Sequence, residues 1–272
     1  MLHLRYKSTT SIPIEAECLT PDHLANKPVT EIAALPLQHG NAQVRLAEFF
    51  DIKGDGSDRE IVIEGDCSRV KWIGAGMTSG RITIHGNAGM HLGAEMVGGE
   101  IELYGQAEDW VGAEMKGGRI HVHGNAGHLV GAAYRGSRLG MRGGVILVDG
   151  DGGNEIGGTM RRGFIAIGGN TGDFAGVSVI AGSVFVFGQP GIRFGAGMKR
   201  GTLAVFGPLS TLLPTFRFDC VYCPVFMSLY LRQLRAWGFP VPERCRSGRY
   251  RRYSGDLVGL GKGEILHWEA CD

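Results

Sequence analysis

The sequence is poor in several things, and each lack excludes a class of protein. No apolar run approaches the ~18 residues that cross a membrane as a helix, and the opening MLHLRYKSTTS lacks the apolar stretch of a secretory signal. The expected location is the cytoplasm, with no membrane partner. Charge of neither sign dominates: 28 Lys and Arg face 27 Asp and Glu, so the bulk footprint of a nucleic-acid binder is missing. Cysteine is sparse as well. Cys18, Cys67, Cys220, Cys223, Cys245 and Cys271 are too few in 272 residues for a disulfide scaffold. CVYC at 220–223 has metal-ligand spacing, but Cys245 and Cys271 stand singly, so no second pair completes a zinc or iron–sulfur site.

What abounds is glycine, 46 residues or about one in six, without the triplet of collagen. GAGMTSG at 74–80 returns as GAEMVGG at 93–99, GAEMKGG at 112–118, GGTMRRG at 157–163 and GAGMKRG at 195–201. A single phrase of this kind suggests a phosphate loop, but no strand–loop–helix context follows any copy. Units cut after the closing glycine run 81–99, 100–118, 119–144, 145–163, 164–182 and 183–201. Five have 19 residues, the third has seven more, a degenerate unit precedes them at 60–80, and TLAVFG begins an eighth.

Each unit opens with a strand-like alternation whose second and fourth positions are aliphatic, as in Ile82/Ile84, Ile101/Leu103 and Ile120/Val122. Further apolar columns recur at Ile73, Leu92, Val111, Val130, Ile156, Ala175 and Phe194, and at Met77, Met96, Met115, Met160 and Met198. A unit this short cannot bury its apolar residues alone but can do so on copies of itself. The expected fold is all-β, a single-stranded right-handed parallel β-helix of about seven 19-residue coils. The glycines are then corners, and the methionines core.

The outward positions change character along the repeat. Arg81, Thr83, His85, Glu100, Glu102, Tyr104, Arg119, His121 and His123 read as solvated, whereas Leu147, Phe164, Phe185 and Phe187 form an apolar stripe. Something must cover it. The tail is expected over part and a partner protein over the rest, with Arg249, Arg251 and Arg252 of the basic tail joining that interface. HVH at 121–123 puts two imidazoles on one side of a strand, ~6.5–7 Å apart. They read as a surface pair partnered by Glu100 and Glu102; a zinc ion bridging them with His85 as third ligand is the alternative. Lys116, Arg135, Arg161, Arg162, Lys199 and Arg200 fall before the closing glycines, so stacked units would line them along one corner as a strip for a polyanion. Solvated corners paired to another protein would read the same way.

Residues 1–59 lack the repeat and are expected to cap its open end; 60–207 form the repeat itself. Residues 208–272 hold an amphipathic helix in PVFMSLYLRQLRAWG, closed by Gly238, and an extended tail that packs back on the repeat.

GNAGMHLGAEMVGG, GNAGHLVGAAYRGSRLGMRGG and GNEIGGTMRRG resemble the glycine-repeat β-helix family shared by the C-terminal domain of large-chain glutamate synthase and the C subunit of formylmethanofuran dehydrogenase. LLPTFRFDCVYCPVFMSLYLRQLRAWGFPVP with RRYSGDLVGLGKGEIL narrows the resemblance to the end of that C subunit. The family serves two complexes: the tungsten or molybdenum formylmethanofuran dehydrogenase, and a bacterial formyltransferase/hydrolase complex. The second moves a formyl group from tetrahydromethanopterin to a methanofuran-type cofactor and hydrolyses it to formate. The opening TPDHLANKPVTEIAALPLQHGNAQVRLAEFFDIKGD is more similar to the bacterial version.

The resemblance implies a non-catalytic scaffold that binds no cofactor alone. A methanofuran-type cofactor and a metal-dependent amidohydrolase site would belong to its partners: a transferase, an amidohydrolase and a further protein of the same complex. The sequence reads consistently, with no clustered His/Asp metal set and no nucleophile beside an obvious base. An anion-binding β-helix module remains the competing class.

Overall fold

The computed structural model describes residues 1–270, so Cys271 lies outside the described residues. The first 59 residues alternate short strands with single helical turns: β1 (Leu2–Tyr6), β2 (Ile14–Glu15), α1 (Pro21–Leu24), α2 (Val29–Ala33), β3 (Pro36–His39), β4 (Ala42–Arg45), α3 (Leu46–Phe49) and β5 (Phe50–Gly54). Turn residues break the helical pattern into three pieces, of which α1 is capped by the Thr20 hydroxyl.

The repeat then supplies β6 (Glu60–Glu64), β7 (Val70–Lys71), β8 (Arg81–His85), β9 (Glu100–Tyr104), β10 (Arg119–Val122), β11 (Val145–Val148), β12 (Phe164–Ile167), β13 (Ser183–Val186) and β14 (Arg200–Val205). The tail adds β15 (Arg217–Tyr222), α4 (Val225–Ala236), β16 (Arg249–Gly255) and β17 (Lys262–Glu269).

A 13-stranded sheet runs in the order β15-β16-β17-β14-β13-β12-β11-β10-β9-β8-β6-β1-β5, beside a four-stranded one in the order β4-β3-β2-β7. From β6 to β14 every neighbouring pair in the large sheet is parallel and in register by the repeat, as Ile82↔Ile101, Ile101↔Ile120 and Ile120↔Ile146 illustrate. A second ladder of single parallel bridges joins Cys67, Ala88, Ala107, Ala126, Gly152 and Thr171 in turn. Asn and Asp side chains carry the pairing through the corners: Asn125 accepts from the Asp151 amide at 2.8 Å and Asp151 from the Asn170 amide at 2.6 Å.

The ends are closed differently from the middle. β1 adds to β6 in parallel and β5 then pairs antiparallel with β1. At the other end β14 carries the opening of the eighth unit, the place of a ninth goes to β17, parallel to β14, and β16 and β15 follow antiparallel. The third unit's extra residues loop out between Ala132 and Met141, so Met141 occupies the methionine column that the sequence leaves blank there.

The apolar columns form one continuous core, with Ile82, Leu103, Val122, Ile146, Ile165, Val184 and Leu203 all at 0% exposure. The outward stripe forms a second core. Met227, Leu231 and Leu234 of α4, with Phe239 and Tyr250, bury Leu147, Phe164, Phe185, Phe187 and Phe206. The chain's own tail therefore covers the whole stripe, and none of those four expected interface residues is left at the surface. Each fully buried large side chain contributes about 1.5–3 kcal/mol of transfer free energy, enough to fix the helix on the sheet.

Two glycines show why the phrase recurs. Gly112 has φ +59, and a Cβ there would stand 2.5 Å from Ile146 Cδ1 of the second unit beyond its own; Gly118 has φ +88, with Met96 Cε of the previous unit at 2.7 Å. Stacking brings side chains of other units against both. Gly76, at φ +66, faces open space. Gly76→Ala should cost about 1–2 kcal/mol from backbone conformation alone, whereas Gly112→Ala should cost roughly 2–5 kcal/mol because overpacking adds to it. Urea denaturation of the two variants checks the difference.

Candidate functional site

Three surface features can bear chemistry: a histidine–carboxylate group on the sheet's outer face, an aromatic ladder at one corner and a basic corner. The first grows from the register. Glu102 pairs with His121, and His121 with Leu147, so units three deep share one face. His123 and Asp149 each follow the paired Val122 and Val148, which makes them neighbours too.

Asp149 draws the two imidazoles together. Its Oδ1 lies 2.7 Å from His121 Nε2 and its Oδ2 2.8 Å from His123 Nδ1. Across the rings, Glu102 Oε2 sits 3.1 Å from His123 Nε2 and 3.7 Å from His121 Nδ1. The ring centroids are 3.9 Å apart, well inside the separation expected from an extended strand, because both rings lean onto the same carboxylate. His121 is not solvated as its position suggests: its side chain is 1% exposed between Glu102 and Leu147 of the flanking units.

Of the two carboxylates expected beside the histidines, Glu102 is the one that meets them. Glu100 turns instead to Arg81 at 2.5 Å and Arg119 at 3.3 Å. Burial raises the Glu100 pKa, yet Arg119 and Arg81 outweigh it and hold the carboxyl below its ordinary value. Arg119 also binds Glu102 Oε1 at 3.0 Å, leaving Oε2 to the imidazoles. His85 does not join the group; it stacks on Tyr104, which stacks on His123 at 4.6 Å. The structure thus brings two histidines and two carboxylates together where the sequence reading finds no clustered His/Asp metal set. Asp149 is the member that sequence reading does not find, although aligning the units' fifth positions, His123 with Asp149, places it there. The CVYC cysteines, by contrast, are exposed, and Cys245 is buried away from solvent. Among the described residues the sole group of three or more with metal-ligand geometry is Glu102, His121 and His123.

The second feature is a column of left-handed corner residues, Trp72, His91 and Trp110, at φ +68, +67 and +68. Trp72 and His91 stack at 4.1 Å, Trp110 continues the ladder, and Tyr134 of the looped-out insertion lies on it with its hydroxyl 2.9 Å from His91 Nδ1. Burial first, then the Lys71 charge, push the His91 pKa from 6.5 down to about 4, with Asp109 opposing.

The basic corner is reordered relative to expectation. Amide-to-carbonyl bonds link Lys116 to Met96, Arg142 to Met115, Arg161 to Met141 and Lys199 to Val179, so Lys116, Arg142 and Arg161 stack on consecutive units. Ile180 occupies the next step and Lys199 the one after; Arg162 and Arg200 flank this column. Arg135 lies in the insertion loop, away from the column, because the insertion ends before Met141. All of these cations are exposed, and among the described residues only Lys116 of this set has a carboxylate partner, Glu95 at 3.3 Å. The tail arginines are instead paired within the chain: Arg251 and Arg249 with Glu269, Arg252 with Glu264 and Asp219.

Known proteins share this architecture. The GXGXG motif model matches residues 57–217. The chain is 35% identical to a chain in the crystal structure of the formyltransferase/hydrolase complex (FhcABCD) from Methylorubrum extorquens in complex with methylofuran. That match has a TM-score of 0.91 and covers 97% of this chain and 98% of the other. Among curated proteins, the C subunit of molybdenum-containing formylmethanofuran dehydrogenase 1 from Methanothermobacter thermautotrophicus is 46% identical over 87 residues, 32% of this chain and 22% of the relative. The C subunit of tungsten-containing formylmethanofuran dehydrogenase 2 from Methanococcus maripaludis is 39% identical over 92 residues, 34% of each. These alignments span at most about a third of the curated relatives' length. The chain is thus a glycine-repeat protein of the GXGXG family. Within that class it belongs to one family with the matched chain of the formyltransferase/hydrolase complex, and over about a third of its length it is similar to formylmethanofuran dehydrogenase C subunits.

Because the folded chain refuses a proton at His91 that the unfolded chain accepts, stability should fall as the pH drops from about 6.5 to about 4. His91→Phe, which keeps a ring in the ladder but cannot titrate, should flatten that part of the profile. Urea midpoints measured near neutral pH and again in mild acid test this.

Proposed function

We propose that this chain is a non-catalytic scaffold of a formyltransferase/hydrolase complex in one-carbon metabolism. In that complex other proteins, a transferase and a metal-dependent amidohydrolase among them, transfer formyl from tetrahydromethanopterin to a methanofuran-type cofactor and hydrolyse it to formate. The observation that carries the reading is the end-to-end likeness to a chain of the FhcABCD complex, over 97% of this chain and at 35% identity.

In this reading the repeat winds as a right-handed parallel β-helix over residues 60–207, capped by 1–59 and flanked by the helix and strands of 208–272. Its support is the in-register parallel ladder together with the second column of bridges. The protein works in the cytoplasm. Partner contact falls on the outward side of α4, where Val225 is 83% and Leu229 56% exposed beside Phe226 and Tyr230. The stacked Lys116, Arg142 and Arg161, with Arg162, Lys199 and Arg200 beyond, fit an extended polyanion, and a polyglutamate tail of the cofactor is the chemistry they would guide. The second reading, the C subunit of a tungsten or molybdenum dehydrogenase, draws on the local identity of up to 46% to such proteins.

A tagged pull-down from the native host decides between them. Recovery with a transferase and an amidohydrolase, without tungsten, molybdenum or iron–sulfur clusters, supports the first reading. A co-purifying tungsten or molybdenum protein supports the second, and recovery alone overturns both. Val225→Asp with Leu229→Asp should abolish partner recovery while leaving the circular dichroism spectrum intact. Reversing Lys116, Arg142 and Arg161 to Glu should raise the KM for the cofactor and flatten its salt dependence; unchanged kinetics would remove the guiding role.

A further inference from the structure

We propose that Glu102, His121 and His123 form a divalent metal site, of the class that takes Zn²⁺, Co²⁺ or Ni²⁺, on the outer face of the repeat sheet. The argument begins with protons. Asp149 accepts from both imidazoles, through Oδ1 at 2.7 Å from His121 Nε2 and Oδ2 at 2.8 Å from His123 Nδ1. Those two bonds occupy His121 Nε2 and His123 Nδ1 and leave the other ring nitrogens, His121 Nδ1 and His123 Nε2, to turn toward Glu102.

These nitrogens, His121 Nδ1 and His123 Nε2, both face Glu102 Oε2, at 3.7 and 3.1 Å. The 3.1 Å contact is of hydrogen-bond length, so what joins these three electron-rich atoms is either a proton on His123 Nε2 or a metal ion. That arrangement calls for a cation. Tetrahedral coordination with bonds of ~2.0–2.1 Å would set ligand atoms roughly 3.3 Å apart, between the two separations observed. The ligand atoms all lie within 4.8 Å of one another.

The surroundings suit such a site. Arg119 occupies the other oxygen of Glu102, at 3.0 Å, and so fixes which oxygen turns inward. Asp149 behind two ligating histidines is the outer carboxylate that orients metal-bound imidazoles and raises their basicity. Two nitrogens and one carboxylate oxygen favour borderline transition metals over calcium or magnesium, which prefer oxygen alone. His121 is sealed at 1% exposure while His123 stays 27% open, so a metal could enter and keep one position for water or a partner's group. The register supplies all of this: of three neighbouring units at ~4.8 Å spacing, the first gives its third residue, Glu102, the second its third and fifth, His121 and His123, and the third its fifth, Asp149.

The test counts metal. The full complex is purified from the native host with wild-type chain and, separately, with His123→Ala, and metals are quantified per copy, so that metal held by other proteins of the complex cancels in the difference. One divalent ion fewer in the variant supports the site; equal counts overturn it and leave a proton to bridge the group. The full-length chain, stripped with chelator, is then titrated with Co²⁺ alone. Wild type and His85→Ala should bind one equivalent with visible d–d bands. Glu102→Gln should lose them, and Asp149→Asn should weaken binding about 10–100-fold. Absence of saturable Co²⁺ binding by wild type with a native circular dichroism spectrum, or binding equal in wild type and Glu102→Gln, refutes the proposal.

Discussion

Register is the constraint on which the rest depends. Parallel pairing places Ile82 against Ile101, Ile101 against Ile120 and Ile120 against Ile146. Every property of one unit is thereby copied onto the next at strand spacing. Glycine recurs because most corners meet backbone or side chains of other units, and others, such as Gly76, need a positive φ. Asparagine and aspartate recur beside them because the corner amides of the following unit need acceptors. The same copying turns isolated residues into columns, so a charge or a ring repeated at the period becomes a strip or a ladder rather than a scattered decoration.

Copying at a fixed period is also what makes the chain legible. Period-two alternation locates the strands from Glu60 to Val205, and the apolar columns name the core. The helix in the tail follows from its spacing and from Gly238. What escapes such reading is local and non-periodic. β17 takes the place of a ninth unit and β16 pairs back on it, an arrangement with no signal at the repeat period. The looped-out insertion shifts the basic column from Arg135 to Arg142, because where the extra residues bulge depends on which methionine fills the core. Leu147, Phe164, Phe185 and Phe187 are recognisable as needing cover. That α4 covers all of them depends on tertiary packing that periodicity does not encode.

The histidine group shows the limit most clearly. His121 and His123 stand out in the sequence as HVH, and Glu102 is within reach of that reading. Asp149 belongs to the next unit, past the seven-residue insertion, so the usual 19-residue step does not lead to it. Once it is placed, the pair ceases to be two surface rings and becomes two imidazoles held together by one carboxylate. Burial of His121 follows from the same geometry, since its neighbours on both sides come from flanking strands.

The two ends of the large sheet carry a further consequence. β5 runs against β1 at one end and β16 runs against β17 at the other, so the parallel run of the sheet stops at β1 and at β17. The parallel part of the sheet, from β1 to β17, is therefore of counted width. The span between its two closed ends changes in steps of ~4.8 Å, one strand at a time, and no side-chain substitution can tune it between those steps. Anything fastened at opposite ends is held at a quantised separation, written into the chain as a number of repeats.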